Sequence, residues 1–274
     1  MKIAILAAGS SKYFPLLIDK PKCLYHLNGM IQLQRVIEDA KQFVDEKDII
    51  VVAGYKYKYV KNFLNEYYPF VKLKVNENYK SSAIYSFRKA VEGESDDIVF
   101  MLGDESISRH NIERIASSKR KMAILCHDDY YYYSVGILKL RKDIFKIIED
   151  DKYLSMDAMK EIYCFANNKE VYDGDFTINS GICLGYIFID LVRRVGGIEV
   201  IENPVTTYKG EDIDFIHFNP KEEYTPDLDY FSDTDEYKNS KALRFYSNQI
   251  SDRLRHLGRA PRKVKRIVSR WIHS

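Results

Sequence analysis

Along the first half of the chain, short apolar runs alternate with longer stretches of helical periodicity, and few architectures accept that alternation. Val71 to Val75 alternates apolar residues with lysine, and Ile3 to Ala8, Ile49 to Ala53, Ile98 to Leu102 and Met122 to Cys126 are nearly continuous in apolar residues. A strand covered on both faces reads this way, whereas a strand with one wet face alternates. Between these runs, Ile31 to Val44 sets Ile31, Val36, Ile37, Ala40 and Val44 on one helical face, and Tyr59 to Tyr67 and Ala83 to Val91 have similar patterns. The expected fold is therefore α/β: a Rossmann-like, doubly wound mixed sheet, mostly parallel, with helices on both faces. Such sheets bind ligands beyond the carboxyl ends of their strands, so the informative residues should follow Leu6, Ala53 and Leu102.

The length of 274 residues and an apolar share of 46% suffice for a buried core. Charge is unevenly spread. Eight of the 42 Lys and Arg and none of the 40 Asp and Glu fall in Arg253 to Ser274, so the body is net acidic and the tail strongly basic. A nucleic-acid partner for the body is not expected. Cys23, Cys126, Cys164 and Cys183 form no Cys-x-x-Cys pair, and the six histidines never pair at helical spacing, so neither a zinc clip nor a disulfide framework is indicated. The opening apolar run is shorter than the roughly 7–15 residues of a signal h-region, and no run reaches the ~20 residues of a membrane helix. A cytoplasmic protein is expected.

Past Tyr130 the pattern is less regular. Asp128 to Tyr133 carries four consecutive tyrosines, as in an irregular strand or a partner-facing edge. Val135 to Leu140 reads as a strand, Ser155 to Tyr163 as a helix, and Ile178 to Ile189 as a buried segment. Asn219 to Asp235 is rich in acids and turn formers and leads into a helical pattern from Glu236 to about Leu257, which Gly258 and Pro261 end. The expected division is a body at 1–250 and a basic helical tail at 251–274. In the tail, Val264, Ile267, Val268, Trp271 and Ile272 can share one face with Lys263, Lys265, Arg266 and Arg270 around it. That composition suits attachment at the inner membrane face, or a helix that packs or self-associates into a homodimer, with RNA contact as a third reading.

The first strand runs into Leu6-Ala7-Ala8-Gly9-Ser10-Ser11-Lys12, followed by Pro15 and then by Pro21-Lys22. Small residues directly after a strand let backbone approach a ligand, successive loop N–H groups can cradle phosphate oxygens, and a lysine can meet the same phosphates. With these elements the chain resembles the nucleotidyltransferases that join a nucleoside triphosphate to a sugar phosphate or phospho-alcohol. The resemblance continues in order. Val51 to Lys56 is similar to the family's second-strand ending, and Asn76 to Tyr79 with Ser81, Ser82, Tyr85 and Ser86 to the segment near the base. Phe100 to Asp104 matches the strand whose last Asp holds magnesium, and Ile178 to Ile182 a segment near the acceptor. The nearest subgroup is the phosphocholine-type cytidylyltransferases and capsule-associated sugar-phosphate nucleotidyltransferases. Two family positions differ: Ser11 stands for a glycine and Tyr13 for an arginine, so Lys12, a point charge without a planar fork, is left to meet the phosphates.

The resemblance implies that a phosphate oxygen of the acceptor attacks the α-phosphorus in line and pyrophosphate leaves, in the synthesis of cell-surface precursors. Lys22 would serve at the α-phosphate, with Lys12 and the loop of Leu6, Ala7, Ala8, Gly9, Ser10 and Ser11 around the tail of the nucleotide. Gly103 would lie beside it. Asp104 would hold Mg2+ with a second carboxylate, Asp229 being favoured and Asp212 and Asp214 kept as alternates. Ala8, Gly54, Ser81 and Ser82 would surround the base, which favours CTP, and Tyr85, Asn179 and Tyr186 would line the acceptor site. From the residues alone, Asp104 is equally a helix cap, and Ser81 and Ser82 a turn before a helix. A nucleotide-sugar-dependent glycosyltransferase is the competing enzyme reading, but Asp104-Glu105-Ser106 lacks the second Asp of an Asp-x-Asp pair. A non-catalytic nucleotide-binding protein is the third.

Overall fold

The computed structural model describes residues 1–9, 20–80, 83–127, 130–149, 191–196 and 212–218, together with the single positions 235 and 239. Nine strands appear among them. In chain order they are β1 (Lys2–Ala7), β2 (His26–Leu27), β3 (Met30–Ile31), β4 (Ile49–Ala53), β5 (Lys72–Val75), β6 (Ile98–Leu102), β7 (Met122–His127), β8 (Tyr130–Leu140) and β9 (Ile213–Phe218). The α-helices α1 (Gln32–Ala40), α2 (Tyr57–Tyr67), α3 (Ile84–Val91), α4 (Arg109–Ser117) and α5 (Phe145–Glu149) accompany them, and residues 191–196 are also helical. The five apolar runs are all strands, with ends displaced by at most one residue.

Seven strands form one sheet in the order β5-β4-β1-β6-β8-β7-β9, and β2 and β3 make a separate antiparallel hairpin. The pairs β4/β5, β1/β4, β1/β6 and β7/β9 are parallel, and β8 runs antiparallel to both of its neighbours. The sheet is thus mostly parallel and mixed, as expected. After β1 the chain builds outward through β4 to β5, then returns to place β6 on the other side of β1. The order reverses between β1 and β6, and in open α/β sheets ligands bind at such a switch point, in the crevice outside the carboxyl ends of the strands.

Alternate residues of each strand point to opposite faces, which makes two cores. Ala4, Leu6, Ile50, Val52 and Phe100 pack with Ile84, Phe87 and Ala90 of α3 and with Ile148 of α5. Ile3, Ile5, Val51 and Met101 pack with Leu33, Val36 and Ile37 of α1, Val60 and Phe63 of α2, and Ile112 and Ile115 of α4. α1 is shorter than its periodicity suggested: it stops at Ala40, and Phe43 and Val44 reach the core from a turn. The register of β7 against β8 shifts between Ile124 and Cys126 and again between Cys126 and His127, so the tyrosine run does lie in an irregular strand. β9 was not expected, because the acids Asp212 and Asp214 interrupt the apolar pattern of Ile213, Phe215 and Ile216.

The helix expected at Ser155 to Tyr163, the segment Ile178 to Ile189, most of the helical pattern after Glu236 and the whole basic tail lie outside the described residues. Among the described residues no helix is long and apolar enough to cross a membrane.

Candidate active site at the β1–β6 crevice

Two glycines draw the carboxyl ends of β1, β4 and β6 together. A Cβ on Gly103 would sit 2.8 Å from the Ala7 Cβ and 3.3 Å from the Leu6 carbonyl oxygen, and a Cβ on Gly54 would sit 2.5 Å from the Tyr79 Cβ and 3.0 Å from the Ala8 Cβ. Neither position admits a side chain without backbone movement. Backbone hydrogen bonds close the same contacts: Gly103 N–H donates to the Leu6 carbonyl at 3.0 Å, and Tyr55 N–H to the Ala8 carbonyl at 3.2 Å. Leu6, Ala7, Ala8, Gly54 and Gly103 therefore form one continuous rim of small or backbone groups. Gly9 follows it, exposed and with open space around its Cα.

Lys22 and Asp104 meet at this rim. Lys22 opens a 3-10 turn, Lys22–Leu24, whose preceding residue Pro21 is extended. Asp104 follows Gly103 at the end of β6. The Lys22 ammonium and an Asp104 carboxylate oxygen form an ion pair, with the two side chains 23% and 16% exposed. Both ends are thus reachable by a ligand while their stems are held. Asp104 does not cap α4; Ser108 takes that role, its hydroxyl accepting from Asn111 N–H at 3.3 Å. Beneath the pair, burial pushes the Cys23 thiol up to about 12, and the Asp104 charge adds to the shift. Cys23 is therefore a neutral packing residue.

After the Lys22 turn, a two-residue Asn28-Gly29 turn joins β2 to β3, with φ of 52° and 81°. The Asp235 carboxylate grips this turn, accepting from Asn28 N–H at 3.2 Å and from Gly29 N–H at 2.6 Å. Asp235 belongs to the acidic stretch in which Asp229 was favoured as the second metal carboxylate, and Asp229 itself lies outside the described residues.

The alternates for that role are not near Asp104. Asp212 precedes β9 at the amino end of the parallel strands, where its carbonyl accepts from Met122 N–H at 3.0 Å and its carboxylate pairs with Lys121 at 3.1 Å. Asp214 pairs in register with Ala123 near the same end. Asp104 lies beyond the carboxyl end of β6, and β9 is three strands away, roughly 14 Å across the sheet. The sheet direction rules both residues out as partners of Asp104.

Tyr85 stands in the first turn of α3 and lines a cleft of about 380 Å³ with Asn76, Arg88 and Lys89, and neither Lys22 nor Asp104 belongs to its lining. Asn76 is buried at the end of β5, where its amide donates to the Ser86 hydroxyl at 2.9 Å and its oxygen accepts from Asn78 N–H at 2.9 Å. The segment leading to Ser81 is thereby fixed. Ser10, Ser11, Lys12, Ser81, Ser82, Asn179 and Tyr186 lie outside the described residues. Gln32 and Ser106, both buried and outside the sequence motifs above, join through the Gln32 amide, which donates to the Ser106 hydroxyl at 3.3 Å. The signal was present: Gln32 stands four residues before Val36, where an apolar residue belongs.

Among the described residues no three His, Cys, Asp or Glu side chains gather as a metal cage. Asp104 still suits a hard divalent cation. Its carboxylate faces the crevice and already holds one cation, the Lys22 ammonium, and magnesium needs only one or two carboxylates when phosphate oxygens complete its shell.

Comparison with known proteins bears on the family and the fold. The MobA-like NTP transferase domain family matches residues 3–179. A CTP:phosphoglutamine cytidylyltransferase of Campylobacter jejuni is 28% identical over 134 residues, covering 46% of this chain and 52% of that protein. The bifunctional protein GlmU of Buchnera aphidicola is 30% identical over 179 residues, covering 62% of this chain and 38% of its own. The chain thus spans about half or less of the length of these curated relatives. An inositol-1-phosphate CTP transferase from T. maritima superposes with a TM-score of 0.56 at 14% identity, covering 89% of this chain and 93% of its own. A putative glucose-1-phosphate thymidylyltransferase from Bacillus anthracis gives 0.51 at 15%, with coverages of 89% and 94%. At these identities the two structures show a shared fold.

Proposed function

We propose, from the premise that this chain belongs to the MobA-like NTP transferase domain family, that it is a magnesium-dependent cytidylyltransferase that joins CTP to a small phosphorylated acceptor. The observation that carries this reading is the partly exposed Lys22–Asp104 pair at the β1–β6 crevice, on a rim cleared by Gly54 and Gly103. CTP as the nucleotide is supported by a cytidylyltransferase among the sequence relatives and a CTP transferase among the structural ones.

The reaction forms a bond between an acceptor phosphate oxygen and the α-phosphorus and breaks the bond from that phosphorus to the bridging oxygen. Pyrophosphate leaves with the electron pair. Little covalent chemistry is asked of the protein, which must hold two anions together and neutralise the moving phosphoryl group. Lys22 meets the α-phosphate as nucleotide enters and exchanges part of its contact with Asp104 for phosphate oxygen. Asp104 and Asp229 would hold the magnesium ion, whose chemistry is to neutralise phosphate oxygens and orient the triphosphate. The N–H groups from Gly9 to Ser11 and the Lys12 ammonium take the β and γ phosphates. The base lies by Ala8, Gly54, Ser81 and Ser82, and the acceptor by Asn179 and Tyr186, with Tyr85 at the entrance of α3. A role in making cell-surface precursors in the cytoplasm, with the basic tail as an attachment to the inner membrane face or to a second copy, completes the proposal.

Incubation with each nucleoside triphosphate, magnesium and a panel of phosphorylated alcohols, sugars and amino-acid amides tests the proposal. Pyrophosphate release with CTP and at least one acceptor is expected. Silence across the panel, or release equal for all four nucleotides, overturns it.

A further inference from the structure

Gln32 opens α1 on its buried face, fully covered beside Leu33, Val36, Ile37 and Ala40. An aliphatic residue would pack there without the desolvation penalty that an amide carries. A buried polar group is the informative departure from an apolar face, and it asks what the amide holds. Two contacts answer. The Gln32 backbone N–H donates to the Tyr25 carbonyl at 3.0 Å, and Tyr25 N–H donates to the Lys22 carbonyl at 3.1 Å, closing the turn that carries Lys22. The Gln32 side-chain amide donates to the buried Ser106 hydroxyl at 3.3 Å, two residues beyond Asp104. The hairpin between these points brings the chain back on itself, pairing His26 with Ile31, so that Gln32 lies against the Lys22 turn.

One residue therefore binds both segments that supply the ion pair: one through its backbone, the other through its side chain. From this juxtaposition we propose that Gln32 is a positioning residue that, through Ser106, sets the distance between Lys22 and Asp104. The inference rests on the functional reading of that pair but names a determinant outside it. A lysine and a carboxylate on two loops have many relative placements, and only a narrow range lets both meet one phosphate group and its counter-ion. The Gln32–Ser106 bond removes the sliding of the Asp104 loop relative to α1, the freedom that the backbone contacts leave.

Gln32→Met keeps the approximate length, volume and burial of the side chain and removes its hydrogen bonding; Ser106→Ala removes the Gln32–Ser106 bond from the other side. Three readouts separate positioning from stability. In each single variant the kcat with CTP should fall about 3- to 10-fold with little change in the CTP KM. The affinity for Mn2+ in the presence of CTP, followed by electron paramagnetic resonance of the free ion, should fall by a similar factor. Acylation of Lys22 by a water-soluble ester, followed by mass spectrometry without nucleotide or metal, should quicken severalfold as the pair loosens. The double variant should be no worse than either single one. A lowered Tm with all three readouts unchanged would assign Gln32 to stability alone and overturn the inference, as would additive losses in the double variant. If Gln32→Met does not fold, Ser106→Ala carries the test by itself. Asp104→Asn distinguishes the two levels of argument: unchanged Mn2+ affinity and turnover there would break the functional reading. Their loss there, with Gln32→Met and Ser106→Ala like wild type, would break only the positioning role.

Discussion

The two ends of the parallel strands use the same charged groups for opposite purposes. At the amino end, Glu94 is 1% exposed and receives three lysines: Lys2 at 2.5 Å, Lys72 at 2.7 Å and Lys74 at 2.7 Å. At the carboxyl end, Asp104 faces Lys22 with both side chains partly open to solvent and small residues around them. Burial would raise the Glu94 carboxyl, but hydrogen bonds from the three lysines overcome it and hold the group at about 2. Burial also pulls the Lys74 ammonium down, against the attraction of Glu94. An acid whose neighbours satisfy it completely is a fastening between β1, β5 and the turn after α3. An acid left half-satisfied beside cleared space is a place for a ligand. Charge type alone does not separate the two roles; saturation and access do.

The largest expected effect breaks this contrast at its functional end. Asp104→Asn should reduce turnover by on the order of 10³-fold while the Tm moves little, because a partly exposed ion pair contributes roughly 0–1 kcal/mol to stability. Steady-state pyrophosphate release and a thermal melt on the same sample check both halves. Lys22→Ala should cost about 10²-fold in kcat with a similar lack of thermal effect.

At the closed end the expectation inverts. Glu94→Gln should leave turnover near wild type and destabilise the fold by about 2–4 kcal/mol, since three clustered ammonium groups lose their shared counter-ion. Urea unfolding at pH 7 measures it. The sign of the pH dependence follows from the same group. A carboxyl held near 2 when folded and near its ordinary value when unfolded contributes stability that is fully present above about pH 5. That contribution is lost as pH falls toward 2. The Glu94→Gln variant should therefore show a flatter stability profile between pH 5 and 2 than wild type.

A smaller loss should come from Gly103→Ala, about 1–3 kcal/mol, because its methyl meets Ala7 and the Leu6 carbonyl rather than a mobile side-chain end. Turnover should fall with it as the Asp104 strand end shifts. The smallest effect concerns Asp39 on α1, which burial raises to about 6 against the pull of Arg35. A carboxyl raised on folding favours the protonated state, so its ionisation costs stability as pH rises through 6. Asp39→Asn should stabilise the protein by on the order of 1 kcal/mol at pH 7 and not at pH 4.5, as paired melts would show.

Much of this fold was legible before any coordinates because strands covered on both faces must be apolar throughout. β1, β4, β6 and β7 announce themselves for that reason, β5 by the alternation of an edge strand, and α2 and α3 follow from one-sided periodicity. β9 was not legible: its neighbouring acids resemble a turn, and only pairing with β7 turns it into a strand. The same pairing removed Asp212 and Asp214 from consideration, since residue type says nothing about which end of a strand faces the crevice. Gln32 left a trace, an amide at an apolar step of α1, but its partner Ser106 is far along the chain and no local pattern connects them.

What the chain determined by itself was the layering, because the free energy of burying apolar surface is read residue by residue from composition and period. The order of strands, and with it which charged residues converge, was decided only in three dimensions. Lys22, Asp104 and the Asp235 grip on the Asn28-Gly29 turn are brought together by crossover connections and glycine-cleared contacts between distant segments. Distances of that kind depend on how helices seat on a sheet, a property of the packed whole and not of any stretch of sequence.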